Sequence, residues 1–273
     1  MEIIFNSIVY VIVFAFGSAI GSFLNVVVYR LPAGLSVIHP PSRCPKCLNR
    51  LRAYENIPIF GWLHLRGRCN HCRSRISARY PLVEAATGLL FVLIFWRFGA
   101  SVQTLGFWAF FSWLLALSLI DCDTMTLPNS LTRSGLVAGL VFQMAKGWWP
   151  TFSPIDSVRH LVLGGILGAV FGLWLFDIIG FAGTIAFGPN ALGLGDTKLA
   201  ALMGAWLGWQ YLPIAGFIAC VIAVAVGGPA MAIGLLDRHQ PIPFGPSLAL
   251  GAAITALWGE PILSTYLHLF FPN

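Results

Sequence analysis

The sequence predicts an all-α polytopic membrane protein: a bundle of about eight transmembrane helices with one small cytoplasmic zinc-ribbon-like domain. Three observations carry that reading. Of 273 residues, 58% are hydrophobic and only 10% charged, with mean hydropathy +0.81, whereas soluble domains carry about 25% charged residues. Apolar runs near membrane-crossing length recur at 7–29, 82–99, 104–121, 130–147, 158–180, 197–209, 211–236 and 245–270. They lack the alternation of a transmembrane barrel, which leaves helices. The polar residues, finally, concentrate in one stretch, 30–80, which holds two CxxC pairs. The domain plan that follows is a first transmembrane helix at 1–29, a cytoplasmic four-cysteine zinc-binding domain at 30–80, and a second transmembrane domain at 81–273.

Charge sets the orientation. Residues 30–80 carry ten of the sixteen basic residues against one acid, Glu55, so that stretch is +9 and the remainder −3. The positive-inside rule puts it in the cytoplasm and the N-terminus outside. Residues 7–29 lack a basic segment before the apolar run, so they read as a retained span and not as a signal peptide. Within that span Gly17 and Gly21 make a small-xxx-small pair suited to close helix contact, and Asn25 reads as an interhelical hydrogen bond.

The stretch 30–80 contains Cys44-Pro45-Lys46-Cys47 and Cys69-Asn70-His71-Cys72, with 21 residues between the pairs. Two knuckles at that separation match a four-cysteine zinc ribbon, whose tight turns place four thiolates around one ion. A reducing cytoplasm argues against the alternative of disulfides. His71 lies inside a knuckle, but Cys44, Cys47, Cys69 and Cys72 already complete the shell. The basic charge reads as a solvated face beside anionic lipid headgroups and not as a nucleic-acid site. Cys122 and Cys220 read as ordinary embedded thiols.

Farther along, Pro81 suits a helix first turn, and Glu84 would lie one turn into the second span. Span three ends at Asp121, and Asn129 or Ser130 is expected to cap span four. Gly164, Gly168 and Gly172 form a packing stripe on span five. A loop at 181–196 then carries Gly193-Leu194-Gly195-Asp196-Thr197-Lys198. The run 197–209 after it is short, so a half-span or a merger with its neighbour is expected. Counting crossings from an outside N-terminus brings Asp121 and Asp196 to the same, cytoplasmic side. Leu236–His239 is expected to form a further cytoplasmic turn, and three prolines from Pro241 to Pro246 a rigid lead into the last span. No internal repeat stands out.

Two carboxylates at one membrane face point to an aspartyl hydrolase. Like charges a few ångströms apart do not both ionise cheaply, so the pair shares a proton. Alone, GxGD is also compatible with a glycine-rich turn, and Lys198 with a plain salt bridge. Two rival readings stay open on these residues. One is a membrane transferase on a lipid phosphate, with Asp121, Asp123 and Asp196 holding Mg²⁺. The other is a non-enzymatic zinc-ribbon adaptor.

Taken together, the motifs resemble a known family. GSFLNVVVYRLP at 21–32, the paired knuckles, ENIP at 55–58, LRGRC at 65–69 and ISARYPLVE at 76–84 are followed by D-x6-P from Asp121 to Pro128, GLGDTK at 193–198 and PFGP at 243–246. In this order they resemble the bacterial type IV prepilin peptidases, membrane aspartyl proteases of the GxGD class that also N-methylate their product. The resemblance implies Asp121 and Asp196 as the catalytic pair and leaves Asp123 outside it; on the reading of the residues themselves, Gly193, Gly195 and Lys198 are expected to support the pair, Lys198 by helping to hold the catalytic acid ionised. It implies prepilin and pseudopilin substrates, cut after glycine on the cytoplasmic side of the bacterial inner membrane, and S-adenosylmethionine as methyl donor. No Rossmann fingerprint is present, so a donor site is expected from the ribbon and adjoining span ends, with Glu84 a candidate to bind the donor or the incoming amine.

Overall fold

A chain this apolar has to satisfy its backbone hydrogen bonds within itself, and helices do so segment by segment. The computed structural model describes residues 2–187, 193–234 and 243–271. In chain order these form α1 (Glu2–Arg30), a 3₁₀ turn (Ala53–Asn56), α2 (Phe60–His64), α3 (Arg79–Phe98), α4 (Val102–Thr124) and α5 (Asn129–Thr151). There follow α6 (Pro154–Arg159), a π-helical stretch (His160–Ile166), α7 (Leu167–Phe187), α8 (Leu194–Leu207), α9 (Leu212–Ala232) and α10 (Gly245–Phe270).

Among the described residues helices occupy all eight expected places, but six of them are long and apolar enough to cross a membrane: Ser7–Arg30, Arg79–Phe98, Val102–Thr124, Pro154–Ile185, Leu212–Pro229 and Gly245–Phe270. The protein is a multi-pass membrane protein. The expected span at 130–147 lies in α5, which has the length but is more polar, carrying Arg133, Gln143 and Lys146. The short run at 197–209 is α8, 14 residues long. At 1.5 Å per residue that is about 21 Å, short of the ~30 Å hydrocarbon thickness. Two boundaries bear on the expected loops. Helix α7 continues to Phe187, whereas the sequence predicts a loop from 181. The expected turn at 236–239 lies outside the described residues.

The chain divides into two compact units, Met1–Thr104 and Leu105–Asn273. In the first, α1 and α3 pack closely because small residues face large ones. A Cβ on Gly17 would meet Phe91 Cβ at 2.8 Å, and one on Gly21 would meet Glu84 Cα at 2.8 Å. Asn25 Nδ2 donates to the Tyr80 carbonyl at 3.1 Å, tying the end of α1 to the start of α3. This is the interhelical bond expected of that asparagine.

The second unit is built around α8. Thr197 and every residue from Leu199 to Trp206 are buried, so this short helix is enclosed by protein. Trp206 stacks between Phe110 and Phe142, each at 5.1 Å between ring centroids. Its indole N–H donates to the Gly135 carbonyl at 2.8 Å, which satisfies the one polar atom of a large buried ring. Gln143 Nε2 donates to the Trp206 carbonyl at 3.0 Å. The expected glycine stripe divides its work: Gly168 and Gly172 lie against the α8 backbone at Gly204 and Ala200, whereas Gly164 faces the Gln143 side chain.

At the α7–α8 crossing, Gly168 and Gly204 meet backbone to backbone, so a side chain on either would strike the other's carbonyl. Gly204→Ala is expected to cost about 1–3 kcal/mol or more by overpacking, lowering the unfolding midpoint by about 2–4 °C per kcal/mol. Gly228→Ala, into open space, is the matched control. Thermal unfolding of the two variants side by side checks the expectation.

Candidate active site and metal centre

Asp121 sits in the last turn of α4 and is 6% exposed. The Gly245 backbone N–H, at the start of α10, donates to its Oδ2 at 3.0 Å. Asp196 is the third residue of α8, behind the Gly193 N-cap, and its own N–H donates to the Gly193 carbonyl at 3.0 Å. An acid in a first helical turn is favoured by the helix dipole. Burial first, and then the charge of Asp121, push the Asp196 carboxyl up to about 6 against the opposing hydrogen bond from the Gly193 backbone. The fold thus brings together two carboxyls far apart in sequence. Gly195 helps, because a Cβ there would press on Leu127, in the connection after Asp121, at 3.2 Å.

The remaining acidic and basic residues of this end fall into place around the pair. Asp123 is exposed one position beyond Cys122. Lys198 Nζ donates to Asn129 Oδ1 at 2.7 Å, which joins α8 to the start of α5. Asn129 therefore does not cap α5; the cap is Pro128, with no side-chain hydrogen bond. Among the described residues the one group of three or more His, Cys, Asp or Glu side chains close enough to share a metal ion is the cysteine cluster. Asp121, Asp123 and Asp196 do not form a group of three of that kind.

In the first unit, Cys44, Cys47, Cys69 and Cys72 bring their sulfurs within 4.8 Å of one another. The pairs Cys44–Cys72 and Cys47–Cys69 are 3.8 Å apart. Thiolates placed tetrahedrally at ~2.3 Å from an ion lie about 3.8 Å from each other, so the donor set fits one metal. That spacing far exceeds a disulfide bond of ~2.05 Å. Burial alone would raise the Cys44 thiol, but hydrogen bonds from the Cys47 and Lys46 backbone outweigh it and bring it down to about 6.

The two knuckles are copies of one device, a repeat that sequence reading passes over. Each reads R-C-x2-C-x2-R, at 43–50 and at 68–75. In each, the outer arginines pair as an isolated antiparallel bridge, and the residue after the second cysteine (Leu48, Arg73) takes a left-handed conformation. Glu55 braces the second copy, accepting from Arg52 N–H and from Asn70 Nδ2, both at 2.9 Å.

Comparison with known proteins agrees with both halves. Residues 15–98 match the Bacterial Peptidase A24 N-terminal domain, and residues 108–228 match the Type IV leader peptidase family. A Prepilin leader peptidase/N-methyltransferase of Stutzerimonas stutzeri is 37% identical over 279 residues, covering 92% of this chain and 91% of that protein. The chain belongs to the type IV leader peptidase family. Proteins of the same description from Pseudomonas putida (39% identical; 93% of this chain, 92% of that protein) and Burkholderia pseudomallei strain 1026b (41%; 90% and 84%) are similarly related. No solved structure matches the chain.

For a leader peptidase, Gly245 is the residue that sequence reading does not single out. From sequence, PFGP at 243–246 suggests only a stiff lead into the last helix and one motif of the resemblance. A Cβ at Gly245 would lie 2.6 Å from Asp121 Oδ2, where the backbone now donates a hydrogen bond. Gly245→Ala is expected to lower kcat for leader removal by about 10²-fold with little change in KM, since a small displacement of a reacting group is costly. Steady-state cleavage kinetics check it; a wild-type kcat would show that the contact is incidental.

Proposed function

We propose that this family member removes the leader of type IV prepilins and type II secretion pseudopilins, cutting after glycine, and then methylates the new N-terminus with S-adenosylmethionine. The observation that carries the proteolytic half is the meeting of Asp121 and Asp196 at one end of the second unit, with Asp196 raised to about 6 by burial and by its neighbour. A pair poised in this way shares one proton. The ionised member takes a proton from water as the water attacks the scissile carbonyl. The protonated member hydrogen-bonds the carbonyl oxygen and later protonates the leaving amine. Gly193, Gly195 and Gly245 supply close backbone and Lys198 a tie between helices, which together hold the carboxyls in place.

The paired knuckles hold a structural zinc ion through Cys44, Cys47, Cys69 and Cys72. The ion would close the shell of an otherwise loop-built domain. The +9 charge of residues 30–80 supports placing this domain on the cytoplasmic side of the bacterial inner membrane, and crossings by α1, α3 and α4 then bring Asp121, with Asp196 beside it, to that same side. A membrane-anchored prepilin would present its leader junction at that depth, so anchoring supplies much of the positioning. S-adenosylmethionine, when bound, supplies an electrophilic methyl group to the new amine.

The test is incubation of the purified protein with a prepilin and labelled S-adenosylmethionine, reading mass loss and methyl gain on the same product. Loss of the leader followed by gain of one methyl is expected. An adaptor without enzymatic activity would give neither.

A further inference from the structure

The first unit contains a cavity of about 560 Å³, within the ~300–1,000 Å³ usual for small-molecule sites. Its walls come from the end of α1 (Ser22, Asn25, Tyr29), the start of α3 (Tyr80, Glu84) and Trp62 of α2. The knuckles reach it through Cys44 and Cys69. Glu84 is the side chain that needs explaining. It is 8% exposed and lines the cavity. Its Oε2 accepts the Ile59 backbone N–H at 2.7 Å, and the Ser22 hydroxyl bonds it as well. Among the described residues no cationic side chain is one of its partners. Glu55, the other buried acid on the wall, is different: both of its oxygens are already engaged, by Arg52 N–H and Asn70 Nδ2.

The group that holds Glu84 is itself unusual. Ile59 has φ 64° and ψ −55°, and Phe60 N–H donates to the Pro58 carbonyl at 2.6 Å. That is a tight γ-turn of the strained hand, centred on a β-branched residue for which a positive φ is an outlier. Strain of this kind persists where the surroundings over-determine it, and it clusters at ligand sites. Here it aims one N–H at one carboxylate oxygen. A buried carboxylate that is oriented by hydrogen bonds, lacks a cation and faces a small-molecule cavity is built to receive a positive charge.

We infer that this cavity binds S-adenosylmethionine, with Glu84 as the counter-charge to its sulfonium. The inference rests on the methyltransferase reading above. Tyr29, Trp62 and Tyr80 offer aromatic faces for an adenine ring and for the sulfonium itself, and Arg30 on the same wall suits the donor's carboxylate. In the transfer, the acceptor amine, free of its extra proton, directs its lone pair at the methyl carbon. The N–C bond forms as the C–S bond breaks, and that electron pair returns to sulfur. The methylated amine then sheds one proton to solvent. Sulfur becomes neutral, so Glu84 no longer attracts it, which favours release of the product thioether.

Titration of the full-length protein in detergent with S-adenosylmethionine and with S-adenosylhomocysteine separates charge from shape. The wild type is expected to bind the sulfonium at least about tenfold more tightly than the thioether, and Glu84→Gln to bind the two alike while unfolding cooperatively near the wild-type midpoint. Ile57→Trp, at a half-exposed residue of the same cavity, should weaken both ligands by about tenfold or more without touching Glu84. A Glu84→Gln protein that keeps the wild-type preference, or an Ile57→Trp protein that keeps wild-type affinity, overturns the site. A wild type that adds no methyl group to a cleaved prepilin, while still binding S-adenosylmethionine in this way, overturns the underlying methyltransferase reading instead.

Discussion

Asp121→Asn and Asp196→Asn are each expected to abolish leader removal, by at least about 10³-fold, because on the proposed mechanism each removes half of a proton-sharing pair. Prepilin cleavage followed by mass measurement reads this directly, and appreciable cleavage by either variant would break the assignment. The Asp196 variant carries a second expectation of opposite sign. Its carboxyl is raised from 3.8 to about 6 in the folded protein, so the folded state holds the proton more tightly than the unfolded one. Stability from this group is therefore gained as pH falls through 6 and lost as pH rises through it. At pH 8 the wild type bears an ionised, half-buried carboxylate beside Asp121, at a cost of no more than about 3 kcal/mol, reduced further by solvent screening. Asp196→Asn removes that cost. It should unfold at a higher temperature than wild type at pH 8, and the advantage should shrink as the scan is moved to pH 5. A variant that loses cleavage and also loses stability at pH 8 would mean that Asp196 supports the fold and not the chemistry. Gain of stability with loss of activity is the signature of a site held under electrostatic strain.

What the sequence made legible followed from properties that act locally. Hydropathy placed the helices, because burial in lipid demands an apolar run whatever its partners. The cysteine spacing anticipated the four-sulfur cluster, since two knuckles have few ways to converge. Asn25 reads from sequence as a helix-to-helix bond, and its contact with Tyr80 is that bond. What stayed hidden depended on which residues meet in space. Nothing along the chain says that α8 is wrapped by protein; its short length was the visible trace of that enclosure. The donation from Gly245 to Asp121 joins residues on opposite sides of most of the second unit's sequence. Lys198 beside an aspartate invites an ion pair, and only the packing of α8 on α5 turns it toward Asn129. The γ-turn at Ile59 was invisible for a different reason. An isoleucine gives no local signal for positive φ, so the turn exists because Glu84 and the surrounding loop impose it.

Replacing Cys44 by Ser is expected to reduce bound zinc from one per chain to near none. Cys44 is 5% exposed and its sulfur stands 3.8 Å from that of Cys72, so a serine there leaves three thiolates around an incomplete shell. The consequences extend beyond the ion. Residues 31–78 contain little regular structure besides the Ala53–Asn56 turn and the five-residue α2, so the proposed ion would supply much of what folds them, about 10–16 kcal/mol in small zinc domains at neutral pH. Asn70 lies between Cys69 and Cys72 and holds Glu55, and Cys44 and Cys69 both line the 560 Å³ cavity. Loss of the ion should therefore loosen the cavity wall and cut S-adenosylmethionine binding by at least about tenfold. Asp121 and Asp196 belong to the other unit and share no ligand with the metal, so leader removal should fall less than methyl transfer does. Elemental analysis of the purified variant, paired with cleavage and methylation measured on one prepilin sample, tests each part. Unchanged zinc content would refute the four-sulfur site. Zinc lost with methyl transfer intact would detach the knuckles from the donor cavity.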